Sequence, residues 1–328
     1  MRALILHDGG RLNVEDRPVP EPTGDQVLVR VQGAGINRAD LHQRRGHYPA
    51  PPGVPADIPG MEFAGIVEAA GPSVRSLDAG DRVMGIVGGG AQAEYLVTAE
   101  SHCARVPDNL ELMAAGGVPE AFITAQDAMI VQGCLLTGQT ALIHAVASGV
   151  GTAAVQLACV LGATPVGTSR TKDKLDRLAD LGLEHGVLAE SGFDPAVLAR
   201  TIIDVAGPAH VTVDLVGGPY LSVDLAVAAP KGTIVLVGVI AGARAELDML
   251  TLMGKRLTLK GTVLRSRSKE EKAEATYAFA GQVVPLLASG VVRPVIEEVV
   301  PLVEAERAYD LVAADTTFGK IVLDLTVT

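Results

Sequence analysis

An apolar run that ends in a cluster of small residues, and is followed by one helix and a second strand, constrains this chain more than any other feature. Residues 140–168 read TALIHAVASGVGTAAVQLACVLGATPVGT. The apolar stretch 141–146 has the length of a fully buried strand. Small residues follow through Ala147, Ser148, Gly149, Val150 and Gly151. Residues 152–161 contain neither Gly nor Pro and are mostly helix formers, so the turn opens a helix. A second strand follows at 165–168. Strand, turn, helix and strand within about 30 residues predict a βαβ unit. Its glycines fall where a dinucleotide pyrophosphate meets backbone N–H groups and the helix dipole. The glycine fingerprint of such units is incomplete here, because Ala145, Ala147 and Ser148 precede Gly149 and Gly151. Two glycines alone also suit a tight turn that packs a helix on a sheet; the surrounding alternation favours the cofactor.

That alternation continues downstream. Residues 172–181 predict a helix with Leu175, Leu178 and Leu181 on one face, and 195–203 a further helix. Residues 211–216, 233–239 and 257–264 read as strands, with a helix at 222–228. Together they predict one doubly wound parallel sheet. The first 120 residues lack this rhythm. Strands are expected at 2–6, 26–31, 63–69, 82–87 and 93–97, separated by turn signals such as Gly88-Gly89-Gly90, with one helix at 38–45. A helical bridge spans 107–133. From Ser268 a long helix to about Ser289 and a strand–helix–strand tail are expected, the tail returning to the first domain. The fold class is α/β: a β-rich domain from 1–120 and 265–328, and a Rossmann domain from 121–264.

Composition narrows the function. No stretch of about 18 or more uncharged apolar residues is present, so no membrane helix is expected, and MRALILHDGG reads as a first strand rather than a signal peptide. Cys103, Cys134 and Cys159 are scattered without a CxxC, which suits a reducing cytoplasm. A net charge of −11 without a basic run argues against nucleic acid as a partner. The tip of the second strand carries Thr168, Ser169 and Arg170, with Lys174 a turn later and no carboxylate at the tip. An NAD enzyme usually places Asp or Glu there for the ribose hydroxyls. Hydroxyls and cations instead suit the 2′-phosphate of NADPH, although Asp173 and Asp176 are close by and an ordinary solvated helix start fits the same residues.

Several motifs carry a family resemblance: GINRADLHQRRGHYPAPP (35–52), PGMEFAGIVEAAG (59–71), GDRV (80–83), PEAFITA (119–125), HAVASGVGTAAVQLACVLGA (144–163) and FGKIVLDL (318–325). In this order they resemble the zeta-crystallin-type quinone oxidoreductases of the medium-chain dehydrogenase/reductase superfamily. LRSR (264–267) and SGVGTAA are most similar to the tumour-suppressor-inducible branch. The resemblance implies a GroES-like catalytic domain and a central Rossmann domain binding NADPH. It implies that Asn37, Tyr48 and Thr124 face the nicotinamide or its ribose. Ser148, Gly149, Val150 and Gly151 would hold the pyrophosphate, and Thr168, Ser169, Arg170 and Lys174 the adenosine ribose phosphate. Val239, Ile240, Leu264 and Ser266 would line the nicotinamide.

Zinc alcohol dehydrogenases of the superfamily place Cys where Asn37 stands and His where Met61 stands. Asn and Met are poor zinc ligands, and Glu62 alone cannot hold a catalytic metal, so a metal-free site is expected. His42 and His47 read as surface histidines, and His144 as a hydrogen-bonded core histidine in a strand. Without a Lewis acid, an acceptor that spreads charge by conjugation is favoured: a quinone or an enone, with Tyr48 or water returning the proton. Tyr48 serves equally as a rim residue that only packs. A 2-alkenal or enoyl reductase shares cofactor and fold, and a non-catalytic NADPH-binding sensor or structural protein remains a second class. A homodimer is expected from the resemblance and from the edge-strand character of 257–263.

Overall fold

The computed structural model describes residues 1–327 and divides into two units, Met1–Ile123 with Leu264–Thr328, and Thr124–Val263. The first opens with an antiparallel pair, β1 (Arg2–Leu6) and β2 (Leu12–Asp16). Next come β3 (Gln26–Gly35), α1 (Arg38–Arg44), β4 (Glu62–Ala70), β5 (Arg82–Ile86), β6 (Tyr95–Ala99), β7 (Cys103–Arg105), α2 (Leu112–Ala115) and α3 (Pro119–Gln126). The second unit holds β8 (Thr140–Ile143), α4 (Gly149–Leu161), β9 (Thr164–Ser169), α5 (Lys172–Arg177), β10 (His185–Leu188), α6 (Pro195–Ala206), β11 (Ala209–Asp214), α7 (Tyr220–Val227), β12 (Ala228–Leu236), α8 (Met249–Lys255) and β13 (Thr258–Gly261). The chain then completes the first unit with α9 (Lys269–Gln282), α10 (Val284–Ala288), β14 (Ile296–Pro301), α11 (Ala305–Ala313) and β15 (Lys320–Asp324).

In the second unit six parallel strands lie in the order β10-β9-β8-β11-β12-β13, the doubly wound arrangement expected. The order reverses between β8 and β11, so the ligand crevice of this fold opens at their C-terminal ends. In the first unit the order is β14-β15-β3-β4-β5-β7, with β6 also paired to β3. The core beneath it joins Phe63, Val29, Val83 and Tyr309, all fully buried, across both ends of the chain.

Local differences from the sequence reading have physical causes. The strand at 141–146 stops at Ile143; residues 144–147 form the turn, with Ala145 at φ +50°, and the helix opens at Gly149 rather than Thr152. The helix at 172–181 breaks after Arg177, and a 3-10 turn leads to Gly182 at φ +91°. Residues 233–239 leave the sheet at Leu236, because the amides of Val237 and Gly238 both turn to the Asp214 carbonyl. The long helix from Ser268 divides at Val283 ahead of Pro285, which has no N–H to continue the ladder. Strands β2, β7 and β10 are five, three and four residues long, too short for an alternating pattern to declare itself.

Candidate active site

Helix α4 begins where a pyrophosphate cradle is needed. The Ser148 side chain caps it, its Oγ accepting from the Gly151 amide at 3.1 Å. The amides of Gly149 and Val150 take no protein acceptor among the described residues. Such amides at the start of a 13-residue helix suit an anion. Gly151 permits the close packing: a Cβ there would lie 2.4 Å from the Val146 carbonyl oxygen. The cradle therefore fits a dinucleotide despite the incomplete fingerprint.

Beneath the cradle lies a polar network no solvent reaches. His144 sits one residue beyond β8, in the turn rather than in the strand, and is fully buried. Its Nδ1 meets Thr168 Oγ1 at 2.8 Å and its Nε2 meets Asp224 Oδ1 at 2.7 Å. Asp214, at the end of β11, accepts from the amides of Val216 and Gly217 at 2.7 and 2.9 Å. It thereby fixes the turn at Gly217 and Gly218, whose φ angles are +67° and +57°. One oxygen of Asp214 and one of Asp224 lack any other partner. A single proton shared between the two carboxyls satisfies both. Burial, then the Asp224 charge, pushes Asp214 up to about 6. Burial pushes Asp224 well above the carboxylate range and His144 down to about 4, so the imidazole is neutral. The network ties the ends of β8, β9 and β11 together at the crevice.

The first unit has its own buried cluster, and this one is ionic. Lys320, heading β15, places its ammonium 2.6 Å from Glu62 Oε1, 2.6 Å from Asn37 Oδ1 and 2.8 Å from the Ile36 carbonyl. Three acceptors meet three donors. Glu62 also accepts from Asn37 Nδ2 and from the Glu120 amide, each at 2.9 Å. Gly35 makes room for it: a Cβ there would fall 2.3 Å from Glu62 Oε1. Asp40 closes the start of α1 by accepting from the Asn37 amide at 2.8 Å, and burial raises its carboxyl to about 6. Arg265, almost fully buried, donates to the Gly88 carbonyl, the Tyr48 carbonyl and Gln43 Oε1 at 2.7, 3.0 and 2.6 Å. Its guanidinium lies 5.1 Å from the centre of the Tyr48 ring.

The residues singled out from sequence divide between these two clusters. Ser148, Gly149, Val150, Gly151 and Thr168 meet at the ends of β8 and β9, where the Val146 amide donates to the Thr168 carbonyl at 3.1 Å. Ser169 is buried and Arg170 exposed; the charge of Arg170 acts on the Tyr220 hydroxyl. Lys174 lies in α5. Val239 and Ile240 are exposed on the loop after β12, and Thr124 is buried in α3. Leu264 is buried and Ser266 exposed, both in the first unit with Asn37 and Tyr48. The Asn37 amide group is already taken on both sides, by Glu62 and Lys320.

The zinc-binding dehydrogenase family matches residues 149–279, and the alcohol dehydrogenase GroES-like domain matches residues 23–108. The quinone oxidoreductase of Sus scrofa is 30% identical over 311 residues, covering 94% of this chain and 92% of its own length. The chain belongs to the medium-chain dehydrogenase/reductase superfamily. This medium-chain member is also 35% identical, over 195 residues, to the Mus musculus synaptic vesicle membrane protein VAT-1 homolog-like. That match covers 56% of this chain and 46% of the relative, so the chain spans about half the length of that protein. A mycobacterial protein complexed with NADPH superposes with a TM-score of 0.87 at 28% identity, over 99% of this chain and 100% of the other. The expected GroES-like and Rossmann-type folds are both present.

The family name carries zinc. Among the described residues no group of three or more His, Cys, Asp or Glu could hold a metal. Nor is any described helix long and apolar enough to cross a membrane. The sequence reading missed Lys320, Arg265, Asp40 and Glu120 as site residues, although all four stand inside the quoted motifs. It also missed Asp214 and Asp224. Each is a lone charge within or ending an apolar run, which was the available signal.

Proposed function

We propose that the protein is a zinc-independent, NADPH-dependent reductase that passes hydride to quinones or related conjugated carbonyls. The observation that carries this reading is the Lys320 ammonium held by Glu62, Asn37 and Ile36. Asn37 and the neighbour of Glu62, Met61, stand where zinc dehydrogenases of the superfamily have ligands. A fixed cation already occupies the carboxylate that a metal would need. Without a Lewis acid an isolated carbonyl is a poor acceptor, whereas a conjugated one disperses the developing charge.

A bound dihydronicotinamide supplies the hydride. The chain's own residues bind and orient it: α4 and Ser148 take the pyrophosphate, and Ser169, Arg170 and Lys174 take the 2′-phosphate. Tyr48, half-buried beside Arg265, lines the acceptor. The names of the porcine relative and of the NADPH-bound mycobacterial protein support the same reading. Free Cys103, Cys134 and Cys159 suit the cytoplasm. The test is nucleotide consumption over a panel of small quinones and medium-chain enones. Faster turnover with NADPH than NADH on a quinone is expected; consumption with no electrophile contradicts the reading.

A homodimer is part of the proposal. Among the described residues β13 is the last strand of its sheet and pairs only with β12, leaving one edge open. Beside it α8 exposes Met249, Leu250 and Met253 at 67, 78 and 64%. A second copy would cover both. Sedimentation as a monomer at micromolar concentration contradicts this.

A further inference from the structure

Asp214 does more than close β11. Its side chain is fully buried, and one oxygen takes the amides of Val216 and Gly217 in the turn that follows, at 2.7 and 2.9 Å. Its carbonyl takes the amides of Val237 and Gly238, in the loop after β12, at 2.8 and 3.2 Å. One residue thus ties down both segments that leave the C-terminal ends of β11 and β12.

The two segments touch backbone to backbone. The Ala241 amide donates to the Val216 carbonyl at 2.8 Å, and Gly217 forms a bridge with Gly242. No side chain fits between them. A Cβ at Gly218 would lie 2.8 Å from the Ala241 carbonyl oxygen, and one at Gly238 would lie 2.5 Å from that of Leu215. A shift of the turn is therefore passed directly to residues 237–242. That loop is prepared for a ligand. Val239 and Ile240 are 50 and 44% exposed, and their amides meet no protein acceptor among the described residues. Apolar side chains beside free amides suit a flat ring that carries a carboxamide.

The fold gives the direction. With the pyrophosphate at α4 and the adenosine ribose at the tip of β9, one half of a dinucleotide lies over β9 and β10. The other half then extends toward β11 and β12, across the point where the strand order reverses. Cradle, turn and loop all belong to the second unit.

We propose that Asp214 is a positioning residue for the nicotinamide half of the cofactor. Its carboxylate holds the 215–218 turn, and the turn sets the 237–242 loop on which that half rests. This role depends on the NADPH reading above. It is exerted through the acceptor oxygen rather than through charge: Asp214→Asn keeps an oxygen for both amides, whereas Asp214→Ala strands them in a buried turn.

The test compares whole and half cofactors by titration calorimetry. The whole one is NADPH; the half is 2′,5′-ADP, which keeps the adenosine and the 2′-phosphate but lacks the nicotinamide. Asp214→Ala should weaken NADPH roughly tenfold while 2′,5′-ADP changes by less than about twofold. Asp214→Asn should keep both near wild type. Gly218→Ala leaves the carboxylate intact but crowds the Ala241 carbonyl, so it should reproduce the split. It carries the test if Asp214→Ala does not fold. Equal losses for both ligands, or no loss for NADPH, overturn the proposal, as does an Asp214→Asn as weak as Asp214→Ala. If wild type binds NADH in place of NADPH, the cofactor reading falls alone, and NADH against 5′-AMP puts the same question to Asp214. A wild type that binds no dinucleotide ends both.

Discussion

The two units each bury a polar cluster, and they solve the same problem in opposite ways. In the first, a lysine and an arginine lie among three carboxyls, and the central pair, Glu62 with Lys320, is a contact between full charges. In the second, His144, Asp214, Asp224 and Thr168 hold no lysine or arginine, and hydrogen bonds around one remaining carboxylate charge replace an ion pair. Removing one member of a buried ion pair strands its partner's charge, whereas removing a proton-sharing acid strands at most a hydrogen bond. The ionic cluster includes Asn37, one of the positions at which the resemblance to zinc dehydrogenases implies a metal ligand. The hydrogen-bonded one braces the turns that would hold the dinucleotide. An ion pair is thus fixed where reaction charge is proposed to develop, and cationic side chains are absent from the cluster beneath the dinucleotide cradle.

The largest effect that would break this contrast comes from Glu62→Gln. Lys320 would keep only neutral acceptors, and unfolding free energy should drop by about 3–5 kcal/mol. Urea unfolding measures it, and a change below about 1 kcal/mol would mean the pair is screened like a surface ion pair rather than buried. Lys174→Ala is smaller and affects binding alone. A charge-assisted bond to phosphate contributes about 1.5–3 kcal/mol, so NADPH affinity should weaken roughly tenfold or more while NADH affinity barely moves. Equal losses for both nucleotides would mean that Lys174 does not meet the 2′-phosphate.

The smallest effect on stability is expected from Asp224→Asn near pH 4, where it mimics an acid that is protonated in the fold and partly so in the unfolded chain, and should alter unfolding free energy by under about 1 kcal/mol. Its signature lies in the pH dependence. The Asp214 carboxyl, raised from 3.8 to about 6, contributes stability that is lost as pH rises through that window. His144, lowered from 6.5 to about 4, contributes stability that is lost as pH falls through its own window. In wild type the two trends oppose each other. Asp224→Asn removes one carboxyl and part of the push on Asp214, so stability should rise more steeply with pH between about 4 and 6.5. A slope identical to wild type would show that the carboxyls share no proton.

What the sequence made legible follows the same division. The Rossmann strands and α4 were readable because period and composition are local properties. The bracing beneath them was not: His144 meets Asp224 across 80 positions, and neither residue announces the other. The ionic cluster is less local still, since Lys320 reaches Asn37 across 283 positions. Asn37 and Tyr48 came forward only through motif resemblance. Glu120 lay unnoticed in PEAFITA because a glutamate near a helix start usually serves the helix dipole. Element ends were lost to turns: the Ala145 backbone at φ +50° and the pull of Asp214 on residues 237 and 238 leave no mark on hydrophobic periodicity.

The central claim is that a fixed ammonium, not a metal, completes the site in the first unit. Elemental analysis of the purified protein, followed by NADPH oxidation with a small quinone before and after exhaustive chelation, tests it most directly. The account predicts no stoichiometric zinc and an unchanged kcat/KM after chelation. Activity that disappears on chelation and returns with added zinc would contradict it.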